Sequence, residues 1–158
     1  MTRVLFVCMG NICRSPIAEG IFRERLRAEG LTDQVSTDSA GTHGYHVGAA
    51  PDRRAQAMMA QQGIDISDLR ARQVDSFDFE FFDYILAMDE QNYEWLRAEA
   101  PGKHRAKIQP MLSFAESKAA DWVPDPYFGG ESGFRGVYEL IDDAANGLLD
   151  RVRRGDTD

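Results

Sequence analysis

The sequence has few cysteines and no long apolar run, and both shortages narrow the kinds of protein it can encode. Cys8 and Cys13 are the two cysteines among 158 residues, too few for the disulfide framework of a secreted domain. No apolar stretch approaches the length that spans a bilayer, and "MTRVLFV" is too short and too weakly basic for a signal peptide. We therefore expect reduced thiols, no membrane partner and a cytoplasmic location.

Basic residues are outnumbered by acidic ones. The chain has 18 lysines and arginines and 26 aspartates and glutamates, which gives a formal net charge of −8. A nucleic-acid binder needs a basic face, so this balance disfavours that class of partner. His43, His46 and His104 lack the further ligands of a zinc site, and the cysteines are not spaced as a zinc clip. We expect no metal and no other cofactor, and any anion site must build its positive field locally.

Strand and helix patterns alternate along the chain without a repeat or a linker-like change of composition. Short apolar runs predict buried strands, and apolar residues at three- and four-residue spacing predict helices. The predicted strands are 3–7, 34–41, 83–89 and 106–110; the predicted helices run from Pro16 to Gly30, over 50–63, from an Asp89 cap to Pro101, and over 134–152. This order predicts one α/β domain over 1–158, with an open, mostly parallel sheet covered on both faces.

The segment "CMGNICRS", residues 8–15, links the first predicted strand to the first predicted helix. A loop that enters a helix N-terminus presents unpaired backbone N–H groups and the positive end of the helix dipole. Gly10 and Asn11 accept backbone conformations that other residues resist, so these N–H groups can form a nest for phosphate oxygens. Arg14 adds a planar fork that suits two oxygens of a tetrahedral anion.

Cys8 lies at the floor of this predicted anion site, where the same positive field favours a thiolate. A thiolate beneath a bound phosphate is placed to attack phosphorus, and Ser15 can donate a hydrogen bond to the sulfur when it departs. The opposing interpretation is an inert, buried cysteine at a strand end. The cysteine–arginine spacing alone is weak, and the full string between a strand and a helix carries the inference.

Cleavage of a phosphomonoester also needs a proton for the departing oxygen, and residues 121–130, "DWVPDPYFGG", hold the best candidate acid. Asp125 lies between two prolines, and Trp122, Tyr127 and Phe128 are placed to surround it with apolar surface that favours the protonated form. The alternative is an ordinary turn, because Asp-Pro is a common turn signal. These residues alone leave both interpretations open.

The string "VCMGNICRSPIAE" closely resembles the phosphate-binding loop of the low-molecular-weight protein tyrosine phosphatases. The segments "STDSAGTHGYHVG", "ARQV", "FDYILAMDE" and "DPYFGG…GFRGVYELID" resemble the same family in the same order. The resemblance implies a three-layer domain in which helices flank a four-stranded parallel sheet and the phosphate-binding loop follows the first strand. It implies hydrolysis of phosphotyrosine proteins through a cysteinyl-phosphate, with Cys8 as nucleophile, Arg14 as phosphate clamp and Asp125 as general acid and base.

The resemblance extends to the walls of the expected pocket. Tyr45 and Tyr127 fall at positions that resemble the family's aromatic walls, and Ile12 is expected to contact the substrate ring from below. A deep slot of this kind favours phosphotyrosine over the shorter phosphoserine. The residues expected to bind the phosphate or its ring are Met9, Gly10, Asn11, Ile12, Cys13, Ser15, Tyr45 and Tyr127.

Supporting residues show one similarity and two departures. Asn11 and Ser39 resemble a family pair that braces the loop through hydrogen bonds. Glu19 resembles a buried glutamate that pairs with a histidine in many members, but Leu69 stands at the histidine's position, so the partner of Glu19 is open. Phe128 replaces a tyrosine often found after "DPY", so regulation by phosphorylation at that position is not expected.

Three other functions compete with this interpretation. Arsenate reductases share the fold and loop but need further cysteines, and this chain has none after Cys13. Protein arginine phosphatases use the same loop but favour threonine where Ile12 stands. A non-catalytic phosphate- or phosphotyrosine-binding module does not need both Cys8 and Asp125. Cys13 is also a candidate redox partner of Cys8, since a disulfide under peroxide protects a nucleophile from further oxidation; plain packing is the alternative.

Overall fold

Four parallel strands form one sheet within residues 1–127 and 130–155, the part of the chain that the computed structural model describes, the side chain of Glu131 excepted. The strands are β1 (Thr2–Cys8), β2 (Val35–Gly41), β3 (Tyr84–Ala87) and β4 (Ile108–Pro110), in the spatial order β2-β1-β3-β4. β1 therefore lies inside the sheet and pairs in parallel with both β2 and β3. Because parallel strands end at one edge, the carboxyl end of β1 brings Cys8 to that edge.

The helices cover both faces of the sheet. They are α1 (Arg14–Ala28), α2 (Arg53–Gln61), α3 (Asp78–Phe81), α4 (Glu90–Glu99) and α5 (Gly130–Arg153), with 3-10 helices at Gly102–Lys107 and Met111–Phe114. No helix in the described ranges is long and apolar enough to cross a membrane.

Side chains of β1 alternate between two apolar clusters. Val4 and Phe6 pack with residues of α1, α2 and α5, whereas Leu5 and Val7 pack with residues of α3 and α4. All four are fully buried, which explains why β1 is a continuous apolar run rather than an alternating one. The predicted three-layer α/β fold with a four-stranded parallel sheet is confirmed.

Aspartate caps place the starts of α4 and α2. The Asp89 side chain accepts a hydrogen bond from the Asn92 N–H at 2.8 Å and the Asn92 side chain accepts one from the Asp89 N–H at 3.1 Å, so the predicted cap of α4 is present as a reciprocal capping box. The helix predicted over 50–63 starts later, because Asp52 caps α2 by accepting from the Arg54 N–H at 2.8 Å.

Several boundaries differ from the prediction. α1 begins at Arg14, two residues before the Pro16 that was expected to open it, and α5 begins at Gly130 rather than residue 134. The strand predicted over 106–110 shortens to Ile108–Pro110, because the 3-10 helix Gly102–Lys107 precedes it. α3 and both 3-10 helices were not predicted, since four to six residues are too few to show a helical apolar repeat.

Candidate active site

The 8–15 loop turns from the end of β1 into the first turn of α1 through a single left-handed residue. Asn11 has φ of 60° and is 2% exposed, so its short polar side chain supports a conformation that most residues resist. Gly10, expected to share this role, does not have a positive φ. Its lack of a side chain instead makes room for the His46 ring, whose Cδ2 would lie 3.0 Å from a Cβ at this position.

The backbone amides of this loop are largely unused by the protein. The Asn11 N–H donates to Cys8 Sγ at 3.3 Å, whereas those of residues 9, 10, 12, 13 and 14 donate to no group in the described part of the chain. No side chain caps α1, whose N-cap residue is Cys13. Several N–H groups and the positive end of the helix dipole therefore remain available to an anion.

Cys8 is buried at the floor of the loop, and its sulfur receives polar contacts from the loop itself. Its Sγ lies 3.1 Å from the Ser15 Oγ. The Ser15 Oγ also accepts a hydrogen bond from the Asn11 Nδ2 at 2.8 Å, which leaves the serine proton free to point at the sulfur. The Ser15 hydroxyl and the Asn11 amide are donors of the kind that a negatively charged sulfur accepts.

Arg14 is buried, 4% exposed at its side chain, and is held in place by neighbouring elements. Its Nη1 donates to the Asp89 Oδ2 at 2.7 Å and to the Val123 carbonyl at 3.1 Å. Burial acts to lower the pKa of Arg14, but the Cys8 sulfur and the Asp89 carboxylate outweigh it, and the pKa is raised. The guanidinium is therefore fixed and charged beside the sulfur. Asp89 was predicted only as a helix cap, and its second role depends on a contact 75 residues away in sequence.

Asp125 lies at the rim of the same site. Its Oδ2 is 3.9 Å from the Arg14 Nη2, and its Oδ1 accepts a hydrogen bond from the Tyr127 N–H at 3.0 Å. The apolar surround expected for this carboxyl is not present, because Asp125 is exposed and the Trp122 ring packs against Tyr93 at 5.7 Å. Phe128, the third residue of that expectation, lies outside the described residues.

A cavity of about 240 Å³ joins these groups. It brings together most of the predicted binding residues; its lining is Cys8, Met9, Gly10, Ile12, Cys13, Arg14, His46, Asp125 and Tyr127. Tyr45 is not part of this wall, since it is 73% exposed and stacks on His43 at 5.2 Å. His46, its sequence neighbour, takes that place, and the prediction for Tyr45 is corrected accordingly.

The segment between β2 and α2 clamps the outer side of the loop. The N–H groups of Thr42, His43 and Asp52 donate to the carbonyls of Cys8, Met9 and Ile12 at 3.0, 3.0 and 2.8 Å. These bonds use the loop's carbonyls and leave the amides of residues 9, 10, 12, 13 and 14 without a partner among the described residues. The loop is therefore held through its carbonyls, and the residues that carry the unused amides line the cavity.

Glu19 is buried in α1 and only partly satisfied. The Thr37 hydroxyl donates to its Oε2 at 3.2 Å, while its Oε1 makes no hydrogen bond within the described residues. Burial raises the pKa of Glu19, and the nearby Ser39 hydroxyl lowers it by less. Leu69 packs against the apolar cluster beneath α1, so it supplies no polar partner. The expected Asn11–Ser39 pair is not present, because the Asn11 side chain bonds Ser15 and the Arg72 N–H, whereas the Ser39 hydroxyl lies near Glu19.

The buried Cys13 differs sharply from Cys8 in its surroundings. Burial raises the pKa of Cys13 to about 12, and the Asp52 carboxylate adds to the shift. Cys13 is therefore a neutral thiol at ordinary pH and a weaker nucleophile than a thiolate.

The fold and the site together define a class of protein: an α/β domain whose buried cysteine, arginine and helix-terminal amides surround an anion-sized hollow. Residues 3–157 match the family described as low molecular weight phosphotyrosine protein phosphatase, and the chain belongs to that family.

Individual relatives are similar over nearly their whole length. The low molecular weight protein-tyrosine-phosphatase YfkJ of Bacillus subtilis is 41% identical, with 98% of this chain and 97% of that protein covered. A crystal structure of a protein tyrosine phosphatase from Entamoeba histolytica with Hepes in the active site has a TM-score of 0.95 and 39% identity, covering 98% and 99% of the two chains. The crystal structure of DARP, a drosophila arginine phosphatase, has a TM-score of 0.87 and 34% identity, covering 97% and 98%.

Replacing Glu19 with glutamine tests how the buried carboxyl is satisfied. Because the folded-state pKa of Glu19 is raised, its contribution to stability is complete below the unfolded pKa of about 4.3 and is lost as pH rises through the folded pKa. Urea unfolding across a pH series should show that Glu19→Gln gains stability relative to the wild type as pH rises.

The exposed helical Glu139→Gln is the matched control and should show no such trend. A difference between Glu19→Gln and the wild type that stays constant with pH, or that reverses, would contradict the raised pKa.

Proposed function

We propose that this chain dephosphorylates phosphotyrosine in proteins through a cysteinyl-phosphate intermediate, with Cys8 as nucleophile, Arg14 as phosphate clamp and Asp125 as general acid and base. The observation that carries the proposal is the contact set of Cys8 Sγ, which lies 3.1 Å from the Ser15 hydroxyl and 3.3 Å from the Asn11 amide within a cavity that Arg14 and Asp125 also line. This arrangement suits attack of a thiolate on a bound phosphoryl group.

In the first step the Cys8 thiolate attacks phosphorus, so an S–P bond forms as the bond from phosphorus to the phenolic oxygen breaks. Asp125, protonated at the start, gives its proton to the departing oxygen. In the second step water attacks the phosphocysteine and the Asp125 carboxylate accepts the water's proton. The S–P bond breaks, the Ser15 hydroxyl donates to the released thiolate, and phosphate leaves.

Electrostatic stabilisation is the main contribution of the loop. The amides of residues 9, 10, 12, 13 and 14, which have no partner in the described part of the chain, and the Arg14 guanidinium are available to the equatorial oxygens, on which negative charge is spread in the transition state. Since Asp89 and the Val123 carbonyl already fix Arg14, little reorganisation is needed when substrate binds.

The walls favour an aromatic phosphate. Ile12 and Tyr127 line the cavity together with the apolar stem of Met9, and a phenyl ring is able to pack among them. Phosphoarginine is the second candidate substrate, because the arginine phosphatase DARP has the same fold. A phosphoprotein is the common substrate in both cases.

Three peptides of one sequence that carry phosphotyrosine, phosphoserine or phosphoarginine separate these activities. We expect the reduced wild type to release phosphate fastest from the phosphotyrosine peptide, and Cys8→Ser to release none while still binding inorganic phosphate in calorimetry. Faster release from phosphoarginine would assign the chain to the second activity. Phosphotyrosine binding without hydrolysis of any peptide or of p-nitrophenyl phosphate would identify a binding module.

The effect of removing the Asp125 carboxyl should depend on the basicity of the leaving group. Asp125→Asn should lower kcat for phenyl phosphate by about 10²- to 10⁴-fold and lower it far less for p-nitrophenyl phosphate, whose phenolate departs unprotonated. Inhibition by vanadate should persist, because the loop is intact.

Asp121→Asn removes an exposed carboxylate from the same segment and serves as the matched control. If Asp125→Asn lowered kcat equally for both substrates, Asp125 would not be the residue that protonates the leaving group.

Cys13 is proposed as the redox partner of Cys8, supported by the two buried sulfurs' shared position at the cavity lining. Peroxide oxidises the Cys8 thiolate to a sulfenic acid; attack by Cys13 sulfur then forms an S–S bond and releases water. Because the pKa of Cys13 is about 12, this second step is slow at neutral pH and accelerates as pH rises.

Brief peroxide treatment followed by dithiothreitol measures this protection. The wild type should regain its hydrolysis of p-nitrophenyl phosphate, whereas Cys13→Ser, compared with its own untreated sample, should lose activity irreversibly at a higher rate. Equal recovery of the two proteins would leave Cys13 without a protective role.

A further inference from the structure

The sulfur's hydrogen bonds depend on a residue outside the loop. Asn11 supplies the amide that reaches Cys8 and the side chain that orients Ser15, and its remaining side-chain atom, Oδ1, accepts a hydrogen bond from the backbone N–H of Arg72 at 3.0 Å. The left-handed Asn11 is thus held between the loop and the Arg72 backbone.

Arg72 itself is anchored by its side chain to two other elements. Its Nε donates to the Asp38 Oδ2 on β2 at 3.1 Å, and its Nη1 and Nη2 donate to the two oxygens of Asp78 on α3 at 3.0 and 3.1 Å. Its carbonyl accepts from the Gly41 N–H at 2.8 Å. The pair of hydrogen bonds from Arg72 to Asp78 is largely shielded from solvent, since the Asp78 side chain is 7% exposed.

The segment around Arg72 has little regular structure of its own. Residues 70–75 belong to no helix or strand, and Gln73 makes one isolated bridge to Gly41. Backbone bonds from Ala71 to Ala49 and from Val74 to Gly41 hold the chain on either side of Arg72, and the guanidinium contacts add to them in fixing the Arg72 N–H. Burial acts to lower the pKa of Arg72, but the hydrogen bonds to Asp78 and the Asp38 charge outweigh it and raise the pKa, which keeps the guanidinium charged.

We propose that Arg72 is a positioning residue for the nucleophile: its side-chain anchors fix its backbone N–H, which fixes Asn11 and thereby the two donors that stabilise the Cys8 thiolate. This inference rests on the proposed function of Cys8. It assigns to Arg72 a part in the chemistry although its charged group is bonded to Asp38 and Asp78 rather than to the loop.

Alkylation of Cys8 by iodoacetamide at a series of pH values measures the thiolate without any turnover. In Arg72→Ala, the pH at which the alkylation rate is half-maximal should rise by about one unit, the size expected for weakening one hydrogen bond to the sulfur. Because Cys13 is protonated well above neutral pH, it contributes little to the rate. Hydrolysis of p-nitrophenyl phosphate at a pH below the wild-type midpoint should fall about tenfold.

Arg70→Ala is the matched control, because it removes the same charge from the same segment. Within the described ranges Arg70 donates only to the carbonyls of Ser67 and Leu69, and its loss should leave the alkylation profile unchanged. Asp78→Asn weakens the pair of hydrogen bonds from Arg72 while keeping the arginine and should shift the midpoint in the same direction by less.

A double-mutant comparison separates positioning from general destabilisation. Asn11→Gly keeps the left-handed backbone and removes the side chain, so Arg72→Ala added to it should cause no further shift in the Cys8 midpoint. An equal shift in both backgrounds, or an unchanged midpoint in a folded Arg72→Ala, would overturn the proposal. Failure of the wild type to hydrolyse any phosphate ester would instead contradict the proposed function.

Discussion

The candidate active site depends on backbone amides of the 8–15 loop that stay free to bind an anion beside the Cys8 sulfur. A strand buried on both faces ends at the sheet edge, and a helix begins six residues later without a side-chain cap. The amides of residues 9, 10, 12, 13 and 14 have no partner in the part of the chain that the structure describes, and these residues line one hollow together with Cys8. An uncapped helix start costs stability, of about 1 kcal/mol, and an oxyanion offsets that cost when it binds.

The surroundings of the loop keep those amides open. Carbonyl groups of the loop are bound from behind by the segment between β2 and α2, and Asn11 takes the left-handed turn that aims the chain back at the sulfur. Asp89 fixes Arg14, so the charge that faces the hollow is placed before any ligand arrives. A chain with a net charge of −8 thus concentrates positive potential at one point.

The sequence predicts those parts of the site that are local in the chain. Cys8 ends β1, and Arg14 and Ser15 begin α1, so the single connection between this strand and this helix determines their relative positions. β1 itself is recognisable because a short run of four apolar residues is typical of a strand buried on both faces. The Asp89 cap is similarly local. Asp89 as a partner of Arg14, and Arg72 as a partner of Asn11, are contacts between distant segments that no spacing reveals.

Two predictions failed at the level of side-chain direction. Tyr45 and His46 are neighbours in an irregular segment, and the backbone path decides which of them turns inward; the structure turns in His46. Trp122 was expected to cover Asp125, but its ring packs against Tyr93 and the carboxyl is exposed. Periodicity and turn signals fix neither outcome.

The most direct test of the central claim is to find where the phosphoryl group goes. Protein mixed with a phosphotyrosine peptide, quenched in acid within the first turnovers and fragmented by mass spectrometry should carry the phosphoryl group on Cys8 sulfur. A phosphoryl group on Cys13 or any other side chain, or phosphate released without a protein adduct under conditions that preserve phosphocysteine, would contradict a thiolate held beneath the loop amides as the attacking group.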